Sequence, residues 1–388
     1  MTNENIQSPV PARHVPQVLE LNAFKLPIVI NNDSDYLDNL ESKLRLFLEN
    51  IHNRQHVDTN LFIRTQHNVE KIIEAIRSYY DADISKARQL IFEMLEPYKN
   101  NPFIISNLET SPAFRGISRQ RHIHDHMNRD NTAMAYHPLS FFKARVGTGT
   151  FDKGDFLHIP FNKRGIVSTQ RFSIAGVPCM YFGLTSYVCW LELDKPPENE
   201  FNVSSYWIPN TTKVLNLAGS QDLINGLSNF GDFTDEMQSL IELFPLIIAT
   251  SFKVKENGRS FRSEYIISQL VMQCLSDLDV EGVAYISKRV ESDSLNFPMC
   301  VNLAIPMRNN QSNYSEFTRT LPLTKSINFA EYKKMLRPPV PAERREAFCN
   351  SFDQRIPYLG TMIYYNQLEF STFDTYLFSQ PHEPANID

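Results

Sequence analysis

The chain has 388 residues, a formal net charge of -6 at pH 7, 42% hydrophobic residues and 21% charged residues. These values are typical of a soluble globular protein that can bury a large core and form two or three domains. The acidic balance and the lack of a long basic run argue against nucleic acid as a partner, because phosphate backbones require clustered Lys and Arg. No apolar run is long enough to span a membrane and no signal peptide is recognisable, so we expect a cytoplasmic protein without membrane partners.

The N-terminal third combines a polar leader with a helical pattern. Residues 1–33 are proline-rich at first and predict a flexible leader, although Leu26–Ile30 (LPIVI) could be a strand or a docking segment. From Asp35 to Lys99 the apolar residues recur at spacings of three and four, which predicts helices. We therefore assign residues 34–135 to an N-terminal helical region and linker. A bundle that covers one face of the domain that follows is favoured over an interaction module or an oligomerisation surface.

Neither the histidines nor the cysteines indicate a metal site. His122, His124, Asp125 and His126 lie in a stretch rich in Arg, Asn and Asp, which favours a solvated linker. No fourth potential ligand follows at a spacing that is typical of a metal site. The five cysteines are an odd number without CxxC spacing and are expected to be buried thiols rather than disulfides or zinc ligands. We expect no bound metal.

The most informative segment runs from residue 158 to residue 193. Val177–Phe182 predicts a buried strand, and Thr185 can cap a short helical turn that ends at Glu192. A carboxylate among apolar neighbours needs a partner, and Arg171 is the simplest one. From the residues alone, a structural ion pair between Arg171 and Glu192, with Tyr181 beside it, is favoured over a functional cleft lined by all three.

Four blocks between Ser140 and Pro306 resemble the RES domain family, which is named for its arginine, glutamate and serine. One departure is Ser173, which stands where the family often carries asparagine. The residues that carry the resemblance are, in chain order, Arg145 in FFKARV, Arg171 and Tyr181 in QRFSIAGVPCMYFG, Glu192 in SYVCWLE and Ser287 in GVAYISKR.

The resemblance implies an α+β fold with an ADP-ribosyltransferase-like mixed β core, and we assign residues 136–310 to this RES-like catalytic domain. It also implies that NAD is a substrate, not a resident cofactor, and that the bond between nicotinamide and ribose is cleaved by hydrolysis or phosphorolysis. Many members of the family are toxins of toxin–antitoxin pairs. The implied partners are NAD, phosphate, a neutralising or activating protein and a second copy of the chain.

The resemblance also implies roles for five residues. Glu192 would bind the ribose hydroxyls and stabilise the positive charge that grows as nicotinamide leaves. Tyr181 would be a platform for nicotinamide or ribose. Arg145 and Arg171 would hold the pyrophosphate, which suits the planar guanidinium better than an ammonium group. Ser287 would donate a hydrogen bond to the substrate. The catalytic residues would thus be Arg171, Tyr181 and Glu192, with Arg145 and Ser287 binding substrate.

The C-terminal residues 311–388 lie beyond the resemblance and are assigned to an extension that packs on the rest. Its aromatic residues between Tyr358 and Phe378 could form strands that extend the sheet, or a tail on the N-terminal helices. Two other functions stay open beside the NAD-consuming enzyme. One is an ADP-ribosyltransferase with a macromolecular acceptor, and the other is a binding module without catalysis.

Overall fold

The computed structural model describes residues 19–387, except 21, 53, 55–56, 115–139, 228–234, 292–298, 309–311 and 336–354. It combines helices with a large mixed β sheet, which is the α+β class expected from the sequence. No helix within the described ranges is long and apolar enough to cross a membrane. The histidine-rich stretch around His122, His124 and His126 lies outside these ranges.

Within the described ranges, twelve short strands form one large sheet and two small ones. The large sheet has eight strands in the order β10-β5-β3-β4-β9-β8-β6-β2, and only its β6–β8 pair is parallel. Strand β1 pairs with β7 in parallel, and β11 with β12 as a hairpin. The strands are β1 (Ile28–Ile30), β2 (Ile105–Asn107), β3 (Ser140–Val146), β4 (Cys179–Gly183), β5 (Phe201–Trp207), β6 (Lys213–Leu217), β7 (Phe252–Val254), β8 (Gly282–Ile286), β9 (Val301–Pro306), β10 (Ile327–Asn328), β11 (Arg355–Tyr358) and β12 (Thr361–Tyr364).

The helical prediction for residues 35–99 is confirmed by α1, α2 and α3. Asp58 and Asp83 cap α2 and α3, each accepting a hydrogen bond from a backbone N–H in the first turn. Helices α2 and α3 pack on α6 and α7. The helices are α1 (Tyr36–Ile51), α2 (Thr59–Tyr80), α3 (Ile84–Leu95), α4 (Ser186–Glu192), α5 (Gln221–Leu227), α6 (Asp235–Thr250), α7 (Ile266–Cys274), α8 (Glu316–Thr320), α9 (Phe329–Lys334) and α10 (Glu369–Ser379).

The large sheet separates two hydrophobic cores. Alternation along β8 shows this, because Val283 and Tyr285 belong to one core while Ala284 and Ile286 belong to the other. The first core contains the apolar faces of α1, α2, α3, α6 and α7. The second contains the buried aromatic residues of α10 and its neighbours. The C-terminal aromatic residues therefore do not pack on the N-terminal helices, as one expectation had it, but on the opposite side of the sheet.

The large sheet draws on three of the four regions assigned from the sequence. Strand β2, from the region 34–135, forms one edge of the sheet beside β6, and β10, from the C-terminal region, forms the other edge beside β5. The segment Leu26–Ile30 contains β1, which is held by β7. Each assigned region thus completes part of the framework that surrounds the central strands β4, β9 and β8.

Candidate functional site

A cavity of about 510 Å³ lies over the central strands of the large sheet. Strands β3 and β4 pair only at Phe142 and Gly183, whereas β4 pairs with β9 along its whole length. The two strands therefore diverge, and residues from both line the cavity. Its size is in the range of small-molecule sites. The lining residues are Lys143, Ala144, Gln170, Arg171, Tyr181, Phe182, Gly183, Cys189, Glu192, Leu193, Arg262, Tyr265, Tyr285, Lys288, Arg289 and Asn302.

Arg171 is buried in the wall of this cavity. Its guanidinium carbon lies 4.9 Å from the ring centre of Phe172 and 4.8 Å from that of Tyr285, in cation–π geometry. Nη1 donates a hydrogen bond to the Ile286 carbonyl at 2.9 Å. Burial lowers the pKa of Arg171 to about 10, so it remains charged at neutral pH. Its Nε is buried and has no hydrogen-bond partner among the described residues.

Tyrosine rings form much of the remaining wall. Tyr181 donates its hydroxyl hydrogen to the Phe172 carbonyl at 2.7 Å. Burial raises the pKa of Tyr181 and that of Tyr285 well above the usual value, so neither phenol serves as a base near neutral pH. Tyr265 accepts a hydrogen bond from Arg262 at 2.9 Å. These rings offer flat faces to a ligand rather than groups that transfer protons.

Glu192 lies at the C-terminal end of α4 and is exposed. Its Oε1 accepts a hydrogen bond from Nδ2 of Asn302 at 2.6 Å. No ion pair joins Glu192 to Arg171, although both residues belong to the described part of the chain and line the same cavity. The expected structural ion pair is therefore wrong. The carboxylate is not surrounded by apolar neighbours, so solvent and one amide satisfy it and no buried cation is needed.

Two side chains fix the N-terminal end of α4. Thr185 caps the helix, as predicted, because its hydroxyl accepts a hydrogen bond from the Val188 N–H at 3.1 Å. Asp374 of α10 accepts another from the Ser186 N–H at 2.9 Å. Asp374 is completely buried and also accepts a hydrogen bond from the Tyr365 hydroxyl at 2.5 Å. The helix that carries Glu192 is thus held by the C-terminal region.

The structure does not bring Arg145 and Ser287 into the cavity wall. Arg145 is half-exposed on β3, and its guanidinium contacts the carbonyl and the carboxylate of Asp155. Ser287 is buried behind the wall, where its hydroxyl accepts a hydrogen bond from the Arg289 N–H at 3.1 Å. Arg171, Tyr181 and Glu192 are brought together, whereas the other two residues of the sequence-based site are separated from them by their own contacts.

Several wall residues were not assigned from the sequence. Asn302 lies within the buried strand β9, where an amide is a recognisable signal. Lys288 and Arg289 directly follow the predicted serine. The ammonium of Lys288 donates a hydrogen bond to the Phe252 carbonyl at 2.7 Å, and burial lowers its pKa well below the usual value. Arg262 lies in a segment without sequence periodicity, and nothing in the sequence indicated it.

The described residues contain no cluster of potential metal ligands. Within them, no three His, Cys, Asp or Glu side chains are grouped so that they could hold an ion. The thiol in the cavity wall, that of Cys189, is also a poor nucleophile, because burial raises its pKa well above the usual value. The cavity therefore offers cations, aromatic faces and a single exposed carboxylate.

Comparisons with known proteins give one partial similarity. No family model matches the chain, and no solved structure matches it. Over 183 residues the chain is 34% identical to a protein of Bacillus subtilis (strain 168) named "Putative toxin YopC". This alignment covers 44% of the chain and 41% of the Bacillus protein. The chain thus spans less than half the length of the curated relative that it matches.

Proposed function

We propose that the chain cleaves the bond between nicotinamide and ribose in NAD and acts as a NAD-consuming toxin. The observation that carries this proposal is the cavity that contains a buried arginine, a tyrosine face and an exposed carboxylate fixed by an amide, here Arg171, Tyr181, Glu192 and Asn302. The toxin assignment is supported by the partial similarity to the Bacillus protein that carries this name.

Cleavage of this bond requires stabilisation of positive charge. As neutral nicotinamide leaves, the ribose becomes an oxocarbenium-like cation, and a nearby carboxylate lowers the energy of that state. Asn302 holds Oε1 of Glu192, which leaves Oε2 to accept a hydrogen bond from a ribose hydroxyl. The carboxylate need not transfer a proton, because the leaving group departs without one.

The rest of the wall is suited to the remainder of the dinucleotide. The faces of Tyr181 and Tyr265 can pack against nicotinamide and ribose. Arg262 and Arg289 line one side of the cavity and supply cations for the pyrophosphate, and Lys288 beside them can donate a hydrogen bond to it. In this arrangement they take the role that the resemblance gave to Arg145.

The test is nicotinamide release from NAD by purified protein. We expect Glu192→Gln to reduce the rate at least about 100-fold, because it removes the charge that acts in the transition state. Its melting temperature should stay unchanged, since the carboxylate is exposed and the oxygen of Gln can still accept the hydrogen bond from Asn302. Glu198→Gln is the matched control, because Glu198 is an exposed glutamate outside the cavity that pairs with Lys333. Equal rates for wild type and Glu192→Gln would contradict the proposal.

The acceptor is identified from the products of the same reaction. ADP-ribose without added phosphate indicates hydrolysis, whereas a phosphorylated ADP-ribose formed only with phosphate indicates phosphorolysis. Nicotinamide release that requires a protein or nucleic acid, with ADP-ribose attached to it, would instead identify a transferase. No release under any of these conditions, together with unaltered cellular NAD after induced expression, would exclude the NAD-consuming enzyme.

A further inference from the structure

A second cavity of about 360 Å³ adjoins the first. Arg262, Tyr265, Lys288 and Arg289 line both cavities, so the two form one continuous cleft. The second cavity is strongly basic, although the whole chain is acidic. Its charged lining residues are Lys253, Lys255, Glu256, Arg259, Arg262, Glu264, Lys288 and Arg289.

The acidic residues of the second cavity are already engaged. Both oxygens of Glu264 accept hydrogen bonds from Arg259, which also pairs with Asp33. The carboxylate of Glu256 accepts a hydrogen bond from the Asp33 N–H at 3.0 Å. Arg259 and Glu264 therefore neutralise each other, and the cationic character of the cavity comes from the other basic residues.

Lys253 and Lys255 are the two basic residues that belong to the second cavity alone and lack a counter-charge. They lie two positions apart on the extended chain of β7 and its continuation, so their side chains project from the same side. Within the part of the chain that the structure describes, neither ammonium group forms a hydrogen bond or an ion pair. Two adjacent cations repel each other, and an anion bound between them would relieve this repulsion.

NAD does not provide an anion at this position. Its negative charges lie on the pyrophosphate, which Arg262, Lys288 and Arg289 can hold at the boundary of the two cavities. The adenosine that continues into the second cavity is neutral. A phosphate monoester on the adenosine ribose carries a charge of about -1.5 to -2 at pH 7 and three strong acceptor oxygens, which match two free ammonium groups.

We infer that the second cavity binds a phosphate monoester at the adenosine end of the dinucleotide, so that the enzyme prefers NADP to NAD. This inference rests on the proposed function for the identity of the dinucleotide. Because a hydrogen bond to a charged group changes affinity about tenfold or more, two such contacts should give a clear preference. Free inorganic phosphate shares the same chemistry and is distinguished by the experiment.

The experiment measures binding by calorimetry, without turnover. The probes are ADP-ribose, ADP-ribose with a 2′-phosphate, and inorganic phosphate, and the protein is the full chain. We expect the 2′-phosphorylated ligand to bind at least about tenfold more tightly than ADP-ribose. The double variant Lys253→Ala/Lys255→Ala should lose this preference and keep its affinity for ADP-ribose. The matched control is Lys163→Ala/Lys325→Ala, which removes two exposed lysines outside both cavities.

Equal affinity of the wild type for the two ADP-ribose ligands would overturn the inference, and so would a preference that the double variant retains. It would also be overturned if inorganic phosphate bound in a manner sensitive to the lysines while the 2′-phosphate conferred no advantage. Rates with NAD and NADP separate this inference from the proposed function. A lysine-dependent binding preference without cleavage of either dinucleotide would reject the enzyme only, whereas NAD cleavage without any preference would reject the second site only.

Discussion

At the scale of single residues, Glu192 and Arg171 differ in how much the stability of the fold depends on them. Glu192 is exposed at the end of a short helix, where the helix dipole disfavours a negative charge. Nothing in the packing requires a carboxylate there. Arg171 is buried between two aromatic rings and bonded to the main chain of β8. We therefore expect the substitution of Glu192 to affect activity alone and that of Arg171 to affect stability as well.

Arg171→Lys tests this difference. An ammonium group cannot stack as a plane between Phe172 and Tyr285, and it does not reproduce the bond from Nη1 to the Ile286 carbonyl in the same geometry. We expect the free energy of unfolding to fall by about 1–3 kcal/mol, together with a loss of nicotinamide release. Urea denaturation measures the first quantity. An unchanged urea midpoint would show that the stacked arrangement does not stabilise the fold.

The sequence identified the centre of the candidate site better than its rim. Arg171, Tyr181 and Glu192 are polar or aromatic residues in apolar surroundings, and such residues are visible in one sequence. Asn302 holds Glu192 across 110 positions of the chain. Lys253 and Lys288 line the same cavity because the first residue of β7, Phe252, accepts a hydrogen bond from Lys288. Such long-range contacts depend on the order of the strands in the sheet, which local sequence patterns do not predict.

At the scale of elements, the important contact is that between α10 and α4. Helix α4 has only seven residues and is too short to be stable by itself. Its first N–H groups are satisfied by Thr185 and by Asp374, and Asp374 comes from a helix almost two hundred positions later in the chain. The orientation of Glu192 therefore depends on a buried carboxylate in the C-terminal region.

Asp374→Asn should change how stability depends on pH. Burial raises the pKa of Asp374 to about 7, above the value of about 3.9 in an unfolded chain. Between these values the folded state keeps a proton that the unfolded state releases, so this residue lowers stability as pH rises from about 4 to about 7. Asparagine does not titrate. We expect the variant to gain stability relative to wild type between pH 4 and pH 8, by up to about 1.4 kcal/mol per unit of the shift.

Urea denaturation of both proteins at several pH values measures this gain. Asp155→Asn is the control, because Asp155 is a half-exposed aspartate on the surface. If the difference between Asp374→Asn and wild type stayed constant from pH 4 to pH 8, Asp374 would have an ordinary pKa in the folded protein.

Local signals explain why some elements were predicted and others were not. The spacing in α1–α3 and the cap at Thr185 are short-range features, and both were confirmed. The position of α10 was not predicted, because its aromatic residues could fill either core equally well. The packing partners decide the position of α10. The ring centre of Phe370 lies 4.9 Å from that of Phe329 of α9, on the side of the sheet opposite the N-terminal helices.

At the scale of the whole molecule, a hydrophobic core packs on each face of the large sheet, and we expect the fold to need both cores for stability. The second core contains residues of the central strands together with Phe370, Phe373 and Leu377 of α10. A chain that stops at residue 310 would expose these strands. We expect it to aggregate or to lack a cooperative thermal transition, as followed by circular dichroism. Cooperative melting and nicotinamide release by this shortened chain would show that the C-terminal region is not needed.

The bond from Asp374 to α4 also has a consequence for protein synthesis. Translation proceeds from the N-terminus, so Glu192 is made long before the residue that fixes its helix. A nascent chain that has not reached residue 374 cannot complete the N-terminal end of α4, even when every residue of the cavity is present. Prematurely terminated products would therefore lack the fixed helix that carries Glu192, and the cavity wall would be completed only after residue 374 has left the ribosome.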